Sequence, residues 1–383
     1  MKPAFELTQV IQRFGKEFEA KHSPNGYVLR TLSALQRCRT SDLGWHKDKC
    51  DACGHIRISY NSCRNRHCPK CQNTQREAWI EDRKQDLLPV PYFHVVFTVP
   101  DKLNGLFIRY PEKMYNLLFH SVWETMEQFG YTQLHAETGM FAILHTWGQN
   151  ISLHPHIHCV VPGGGIDYRN RWKQVKVSEN DKTFLYWVKN LSKVFRKKFD
   201  DALNKQLPQD KQFVRELYKK NWVVYAKEPF GGPAQVVEYL GRYTHKVAIS
   251  NHRLINVDDN GVTFRWRDYH DKNKEKIMTL KGVDFLQKFC LHILPKRFVR
   301  IRHYGLLSTS KRKQLRELQK AFGIHVPAKR EKKNWKQVCR EHLNYNPDVC
   351  PVCGKGNMIT IEIMLPARAP PATHVLLKHL QSK

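Results

Sequence analysis

Apolar residues along the chain follow two different periods, and each period predicts a different kind of element. In the segments 7–18 and 112–129 they recur every three or four positions, which predicts amphipathic helices. The segments 93–99, 140–147 and 151–161 are instead short apolar runs rich in β-branched and aromatic residues, and these predict buried strands. Turn residues join the last two strands, so the sequence predicts a β-hairpin there.

The second strand of this hairpin carries closely spaced histidines. His156 and His158 project from the same face, because alternate side chains of a strand share a face, and two imidazoles on one face suit a divalent cation. Antiparallel pairing brings His145 of the first strand near them as a third ligand. His154 competes for that place if Pro155 does not disturb the alternation, and we favour His145. The alternative is a set of ordinary histidines on a polar sheet face.

Cysteine pairs near the N-terminus have the spacing of a metal site. Cys50-x2-Cys53 and Cys68-x2-Cys71 are two knuckles of the kind that supplies four thiolates to a tetrahedral zinc. Further candidate ligands surround these pairs, enough for a second and interleaved site: Cys38, His46, Cys63 and His67. The spacing alone leaves open which residues share an ion.

A third knuckle lies near the other end of the chain. Cys350-x2-Cys353 is followed by glycine, and Cys339-x2-His342 lies just upstream as the candidate second half of a four-ligand site. The sequence therefore predicts a C-terminal zinc site built from these two neighbouring pairs.

Charge changes the picture of an otherwise ordinary globular composition. A formal charge of +29 and a pI of about 9.7 predict a polyanionic partner, and nucleic acid is the first candidate. A basic surface kept for solubility is the alternative. No apolar run approaches the length of a membrane span, and the metal-type cysteine spacing fits a reducing cytosol. The candidate DNA-contacting residues are Arg64, Arg66, Arg242, Lys246, Arg297, Arg300 and Arg302.

Two tyrosines stand one helical turn apart after a Gly-Gly-Pro segment that suits the start of a helix. Tyr239 and Tyr243 would project from one face of that helix, and Glu238 and Arg242 form a parallel pair one position round. A core aromatic pair is the alternative interpretation. Together with a histidine-bound metal and the positive charge, the tyrosines predict nucleophilic attack on a DNA phosphodiester.

These motifs resemble a known family. His156-Ile157-His158 resembles the His-hydrophobic-His (HUH) motif of rolling-circle nucleases, and Tyr239-x3-Tyr243 resembles the tyrosine pair of two-tyrosine HUH transposases from bacterial insertion sequences. The cysteine module ahead of them is similar to the N-terminal zinc-binding domain of those transposases.

The resemblance implies an α+β fold: an HUH-type central antiparallel sheet flanked by helices, a small N-terminal zinc-binding domain and a basic C-terminal extension. It implies Mg²⁺ or Mn²⁺ as the catalytic ion beside structural Zn²⁺, and a 5′-phosphotyrosine intermediate on single-stranded or hairpin transposon ends. It also implies a bacterial, cytoplasmic and nucleoid-associated enzyme.

The motifs divide the chain into three predicted domains: residues 1–75 for the N-terminal helices and zinc-binding module, 76–309 for the nuclease, and 310–383 for a basic linker and cysteine-containing tail. Two other functions stay open at this point. A plasmid relaxase or replication initiator would share the chemistry, whereas a zinc-dependent DNA-binding regulator would lack nuclease activity.

Overall fold

The structure is a computed structural model of the 383-residue chain. It describes residues 3–175, 185–227, 235, 237–238, 241, 244, 246–269, 271–327, 333–366 and 374–375. Its α-helices are α1 Leu7–His22, α2 Gly26–Gln36, α3 Gln72–Lys84, α4 Asn104–Arg109, α5 Pro111–Phe129, α6 Val188–Gln206, α7 Lys211–Tyr218, α8 Gly282–Cys290, α9 Arg312–Ala321 and α10 Trp335–His342.

The strands alternate with these helices along the chain. They are β1 Trp45–Cys50, β2 Ile56–Tyr60, β3 Tyr92–Thr98, β4 Gly139–Trp147, β5 Leu153–Pro162, β6 Gly164–Ile166, β7 Trp172–Gln174, β8 Val224–Lys227, β9 Leu254–Asp258, β10 Gly261–Asp268, β11 Lys274–Leu280, β12 Ile301–Gly305, β13 Met358–Met364 and β14 His374–Val375. The mixture of helices with antiparallel sheets confirms the predicted α+β class.

The chain forms two compact units, and each is assembled from separate segments. Unit 1 contains Met1–Trp79, His245–Ile293 and Lys332–Lys383, and unit 2 contains Ile80–Thr244 and Leu294–Glu331. Each of the three domains predicted from the sequence is one contiguous segment. That division of the chain remains a prediction. None of the helices within the described residues is long and apolar enough to span a membrane.

Unit 2 is built on a five-stranded sheet in the order β12-β4-β5-β3-β8, in which every neighbouring pair is antiparallel. The predicted hairpin is confirmed as β4 and β5, and it occupies the middle of this sheet. On one face, buried residues such as Phe97 pack against helix α6, where the Phe97 and Phe195 ring centroids are 5.1 Å apart. Because side chains alternate across a strand, the histidines fall on the other face.

Helix α5 completes the covered side of this sheet. Proline at its first position suits a helix start, and its buried stripe, which includes Tyr115, Leu118 and Val122, packs on the sheet and on α6. The buried stripe confirms the amphipathic helix predicted over residues 112–129.

Unit 1 contains two smaller sheets. One has the order β14-β13-β1-β2, so a strand from the C-terminal part of the chain lies against a strand from the N-terminal part. The other is the meander β9-β10-β11, next to helix α8. Helix α1 packs on α8 at Gly282, where a Cβ atom would lie 2.1 Å from the Phe14 ring. Only glycine permits this close approach.

Candidate active site, metal centres and nucleic-acid interface

Three histidines of unit 2 converge on one face of the hairpin, and His145 and His158 are buried. His145 of β4 is the direct cross-strand partner of His156 of β5, and His158 is two positions further along β5. The ring centroid of His145 is 5.4 Å from that of His156 and 4.6 Å from that of His158. One ring nitrogen from each histidine lies within 4.8 Å of the others. We call these three residues the histidine cluster.

Hydrogen bonds fix the orientation of two rings in this cluster. His156 Nδ1 lies 2.7 Å from the carbonyl oxygen of His154, and a carbonyl can only accept, so Nδ1 carries the proton. The lone pair of a neutral His156 is therefore on Nε2. His158 Nδ1 lies 2.8 Å from Nε2 of His94, a buried residue of β3 whose ring stacks on that of His158 at 5.1 Å.

His94 is a functional candidate that sequence reasoning missed. The signal was a histidine inside the apolar run Phe-His-Val-Val-Phe, where a buried polar side chain needs a partner. His154, the competitor for the third ligand position, lies outside the histidine cluster. Its ring centroid is 5.2 Å from that of His156, and its Nδ1 is 3.7 Å from the carboxylate of Asp101.

The predicted nucleophiles Tyr239 and Tyr243 lie outside the described residues, as does Arg242. Described residues between and beside them are helical and hold contacts within unit 2. A Cβ atom on Gly241 would lie 2.2 Å from Ile80 Cδ1 of α3, and Glu238 accepts a 2.8 Å hydrogen bond from Lys84 of the same helix. The segment is thereby tied to α3.

Helix α3 also reaches the face of the sheet that bears the histidines. The Arg83 guanidinium stacks 5.8 Å above the Phe141 ring and lies 3.4 Å from Nδ1 of His303. Phe141 is on β4, four positions before His145, so alternation puts both side chains on one face.

Eight cysteines of unit 1 form two groups of four, and neither group combines the Cys50 pair with the Cys68 pair. The first cysteine cluster has Sγ–Sγ distances of 3.4 Å between Cys38 and Cys71, 3.5 Å between Cys38 and Cys68 and 3.7 Å between Cys63 and Cys71. The second cysteine cluster has distances of 3.7 Å from Cys50 to Cys353 and from Cys53 to Cys350. In both clusters the four sulfurs lie within 4.8 Å of one another.

These distances fit a metal better than a disulfide. A tetrahedron with metal–sulfur bonds of about 2.3 Å has edges of about 3.8 Å, whereas a disulfide bond is only about 2.05 Å long. Hydrogen bonds favour the thiolate form at some of these sulfurs, whereas neighbouring thiols, Cys38 first, raise the pKa of Cys63 and Cys68. Neighbouring thiols, Cys63 first, lower the pKa of Cys38 to about 7, and the backbone N–H groups of Gly356 and Lys355 lower the pKa of Cys353 to about 6.

The expected groupings therefore need correction. The Cys50 and Cys68 knuckles do not share one four-thiolate group, because each is completed by other cysteines. Among the described residues, the other predicted ligands belong to neither cluster: His46, His67, Cys339 and His342. His46 lies 3.8 Å from the carboxylate of Asp48, and Cys339 is a buried residue of α10. Spacing along the chain could not reveal partners that the fold brings from distant segments.

The predicted DNA-contacting residues divide by exposure. Arg64, Lys246 and Arg297 are exposed. Arg300 is buried, with 8% of its surface exposed, and donates a 2.5 Å hydrogen bond to the carbonyl of Thr244. Its guanidinium is therefore engaged inside unit 2 rather than presented to a phosphate. The Arg302 guanidinium lies over the ring of Phe119, at 4.1 Å, and Arg66 is half-buried.

A groove of about 1080 Å³ crosses unit 1. Its lining includes more cations than anions and several aromatic side chains, and we call it the unit 1 groove: Arg39, Arg57, Arg64, Lys70 and Lys336, with Asp48 and Asp348, and Tyr60, Trp335 and Tyr345. The three aromatic residues are 46%, 56% and 47% exposed, respectively. Charged and aromatic groups in one groove suit a nucleic acid, because bases stack on rings while phosphates meet cations.

Comparison with known proteins identifies the class of protein to which this chain belongs. A family model described as "Putative transposase" matches residues 139–314, and one described as "Transposase zinc-binding domain" matches residues 10–99. The "Putative transposase y4qJ" of Sinorhizobium fredii is 41% identical over 391 residues, which cover 96% of this chain and 97% of that protein. The transposase for insertion sequence element IS801 of Pseudomonas savastanoi pv. phaseolicola is 27% identical, with 88% and 84% covered.

The solved structure of conjugative relaxase TrwC in complex with oriT DNA aligns with a TM-score of 0.24 and 14% identity, over 61% of this chain and 73% of that chain. The matched families and relatives define a DNA transposase with a zinc-binding domain. The chain belongs to the IS91 family of bacterial insertion-sequence transposases. The predicted family, enzyme class and DNA partner are thereby confirmed, and the relaxase, initiator and regulator alternatives are set aside.

Proposed function

We propose that this transposase nicks and rejoins single-stranded ends of its element by attack of a tyrosine on the DNA phosphodiester. The observation that carries this proposal is the histidine cluster, in which three imidazoles from two neighbouring central strands meet on one face of the sheet. Three histidines that leave other coordination positions open suit a catalytic ion rather than a closed structural one.

The residues present fit such an ion. The protonated Nδ1 of His156 leaves Nε2 as its donor atom, and an imidazole that binds metal typically donates its other N–H to a carbonyl or another acceptor. His94 would accept the same kind of hydrogen bond from Nδ1 of His158. We propose Mg²⁺ or Mn²⁺ at this site, where a divalent charge would polarise the scissile phosphate.

Tyr239 or Tyr243 would supply the nucleophile. Its phenol oxygen attacks phosphorus after losing a proton, the bond from phosphorus to the 3′-oxygen breaks, and that oxygen leaves as a 3′-hydroxyl. A phenol has a pKa near 10, so positioning must supply much of the rate. The ester energy is retained in the 5′-phosphotyrosine, and a second 3′-hydroxyl can reverse the step on another strand.

Contacts of the described residues near the tyrosines in sequence support this role. The helical segment that contains Gly241 and Thr244 is tied to α3 and to the buried Arg300, and Arg83 of α3 lies over the histidine face at Phe141. A rigid support of this kind is what a nucleophile needs, because small displacements cost large factors in rate.

We further propose that DNA binds in the unit 1 groove, that the exposed Arg297 of unit 2 contacts a phosphate, and that the first cysteine cluster holds a structural zinc. This cluster lies wholly within the match to the transposase zinc-binding domain. An unpaired or hairpin end would suit the groove, since exposed rings stack on bases that a duplex keeps paired. A cytoplasmic enzyme associated with the nucleoid would fit the charge of +29.

A covalent-adduct assay tests the chemistry. The full-length protein is incubated with labelled single-stranded DNA that carries an end of its own element, with Mg²⁺ or Mn²⁺ or with chelator, and resolved on a denaturing gel. We expect a metal-dependent adduct that maps to the peptide containing Tyr239 and Tyr243. Loss of this adduct is expected in the Tyr239→Phe/Tyr243→Phe variant, and Tyr168→Phe, at an 84% exposed tyrosine, is the matched control. An adduct that persists in the double variant would refute the proposal.

A further inference from the structure

The second cysteine cluster joins two short segments that are almost identical in local structure. One is Cys50-Asp-Ala-Cys53-Gly54 and the other is Cys350-Pro-Val-Cys353-Gly354. In each, the glycine has a left-handed backbone, with φ values of 72° and 67°. In each, its N–H donates to the carbonyl of the first cysteine, at 3.2 Å for Gly54 and 3.0 Å for Gly354. Both segments are therefore complete zinc knuckles, each of which offers two sulfurs.

The fold brings these two knuckles together through β-sheet pairing. Strand β13 is antiparallel to β1, and its register places Met358 opposite Cys50. Beyond the strand end, Asp51 accepts a 2.8 Å hydrogen bond from the N–H of Asn357. Gly356 comes so close that a Cβ atom there would lie 2.4 Å from Cys50 Sγ. Only glycine fits at position 356, where the C-terminal segment contacts the thiol of Cys50.

Backbone N–H groups also point at the sulfurs from both knuckles. Cys53 N–H donates to Cys50 Sγ and Gly356 N–H donates to Cys353 Sγ, both at 3.4 Å. Bonds of this kind stabilise thiolates, the form in which cysteine binds metal. The sulfurs of opposite knuckles are 3.7 Å apart, close to the edge of a zinc–thiolate tetrahedron.

We propose that the second cysteine cluster binds a structural zinc that fastens the C-terminal segment to the N-terminal module. Half of its ligands lie beyond residues 10–99, where the transposase zinc-binding domain is matched. Four thiols would give up their protons to bind one ion, and each knuckle supplies two of them. A site of this kind therefore stabilises the fold only when both knuckles are present. The C-terminal knuckle is then part of the zinc-binding module and not a separate tail.

Zinc content tests the pairing. The Cys350→Ser/Cys353→Ser variant of the full chain should carry one zinc fewer than the wild-type protein by elemental analysis, and so should Cys50→Ser/Cys53→Ser. The matched control is Cys339→Ala/His342→Ala, which removes the neighbouring pair that spacing suggested as the partner of Cys350. It should keep the wild-type content. A control that loses one zinc, or a Cys350→Ser/Cys353→Ser variant that loses none, would overturn the proposal.

A second measurement uses the wild-type protein and does not depend on a variant that folds. The protein is exposed to a chelator for increasing times, alkylated, and digested for mass spectrometry of each cysteine peptide. We expect Cys50, Cys53, Cys350 and Cys353 to become reactive at one common rate, and the cysteines of the first cluster to follow a rate of their own. A shared zinc is excluded if the peptide with Cys350 and Cys353 reacts equally fast without chelator. It is also excluded if that peptide and the peptide with Cys50 and Cys53 become reactive at different rates. Either measurement is independent of the DNA chemistry.

Discussion

His145 on β4 and His156 on β5 are direct cross-strand partners, and their ring centroids lie 5.4 Å apart. A hairpin holds such a pair without help from distant parts of the chain, because the register fixes which residues face each other. His154 is on the same strand and only two positions from His156, yet its Nδ1 is 3.7 Å from Asp101. The two candidates for the third ligand therefore occupy different environments.

Substitution distinguishes these candidates. We expect His145→Ala to weaken Mn²⁺ binding by more than about 10-fold, at least the effect seen when an outer partner of a metal site is lost. His154→Ala should change the affinity by less than about 3-fold, since a half-exposed histidine outside the cluster contributes no donor atom. Titration calorimetry of both variants measures the difference. Similar losses in the two variants would count against the assignment.

His94 should act on the metal through His158. We expect His94→Ala to lower Mn²⁺ affinity by about 10- to 100-fold, because Nδ1 of His158 would lose the partner that orients its ring. His94→Gln should recover much of the loss, since its amide oxygen can accept the same hydrogen bond. At saturating metal, both variants should form the DNA adduct. A glutamine variant no better than alanine would indicate that His94 only fills space.

The hairpin and its histidines could be predicted because their information is local. Strand period, turn and spacing together bring His145 near His156 and His158 before any tertiary contact is known. His94 was missed although its strand was predicted, because its role depends on β3 lying next to β5. Sheet order follows from packing of the whole unit, which periodicity does not encode.

The grouping of the cysteines also could not be predicted, because their partners are distant in the sequence. Each Cys-x2-Cys pair was identified from its spacing, but spacing carries no information on which distant pair completes the tetrahedron. Cys50 is joined to Cys353 through the pairing of β1 with β13, a contact between the two ends of the chain. Expectations drawn from neighbours in sequence, such as Cys339 for Cys350, fail when the sheet supplies a closer partner.

Substitution of Arg300 should lower the stability of the protein, whereas substitution of Arg297 should weaken DNA binding. Arg300→Gln removes a charged hydrogen bond to the buried Thr244 carbonyl and should lower the free energy of unfolding by about 1.5–3 kcal/mol. Arg297 is exposed with φ of 62°, so Arg297→Asn keeps a residue that tolerates this conformation. It should leave stability unchanged and weaken DNA binding. Urea unfolding and a DNA-binding titration of both variants measure the two effects. If Arg297→Asn were the destabilised variant, the roles assigned to the two arginines would be wrong.

The unit 1 groove should make its contribution to DNA binding through phosphate contacts. Arg64 lines the groove, is exposed and has φ of 52°, so Arg64→Asn removes the charge and keeps the left-handed backbone. If Arg64 neutralises one phosphate of a single strand, the slope of the logarithm of affinity against the logarithm of salt concentration, which is negative, should become smaller in magnitude by about 0.7. Lys16→Gln removes one exposed positive charge from helix α1 at a residue that does not line the groove, and should leave the slope unchanged. Equal slopes for Arg64→Asn and the wild-type protein would place the DNA elsewhere, because a phosphate contact cannot be lost without its counterion effect.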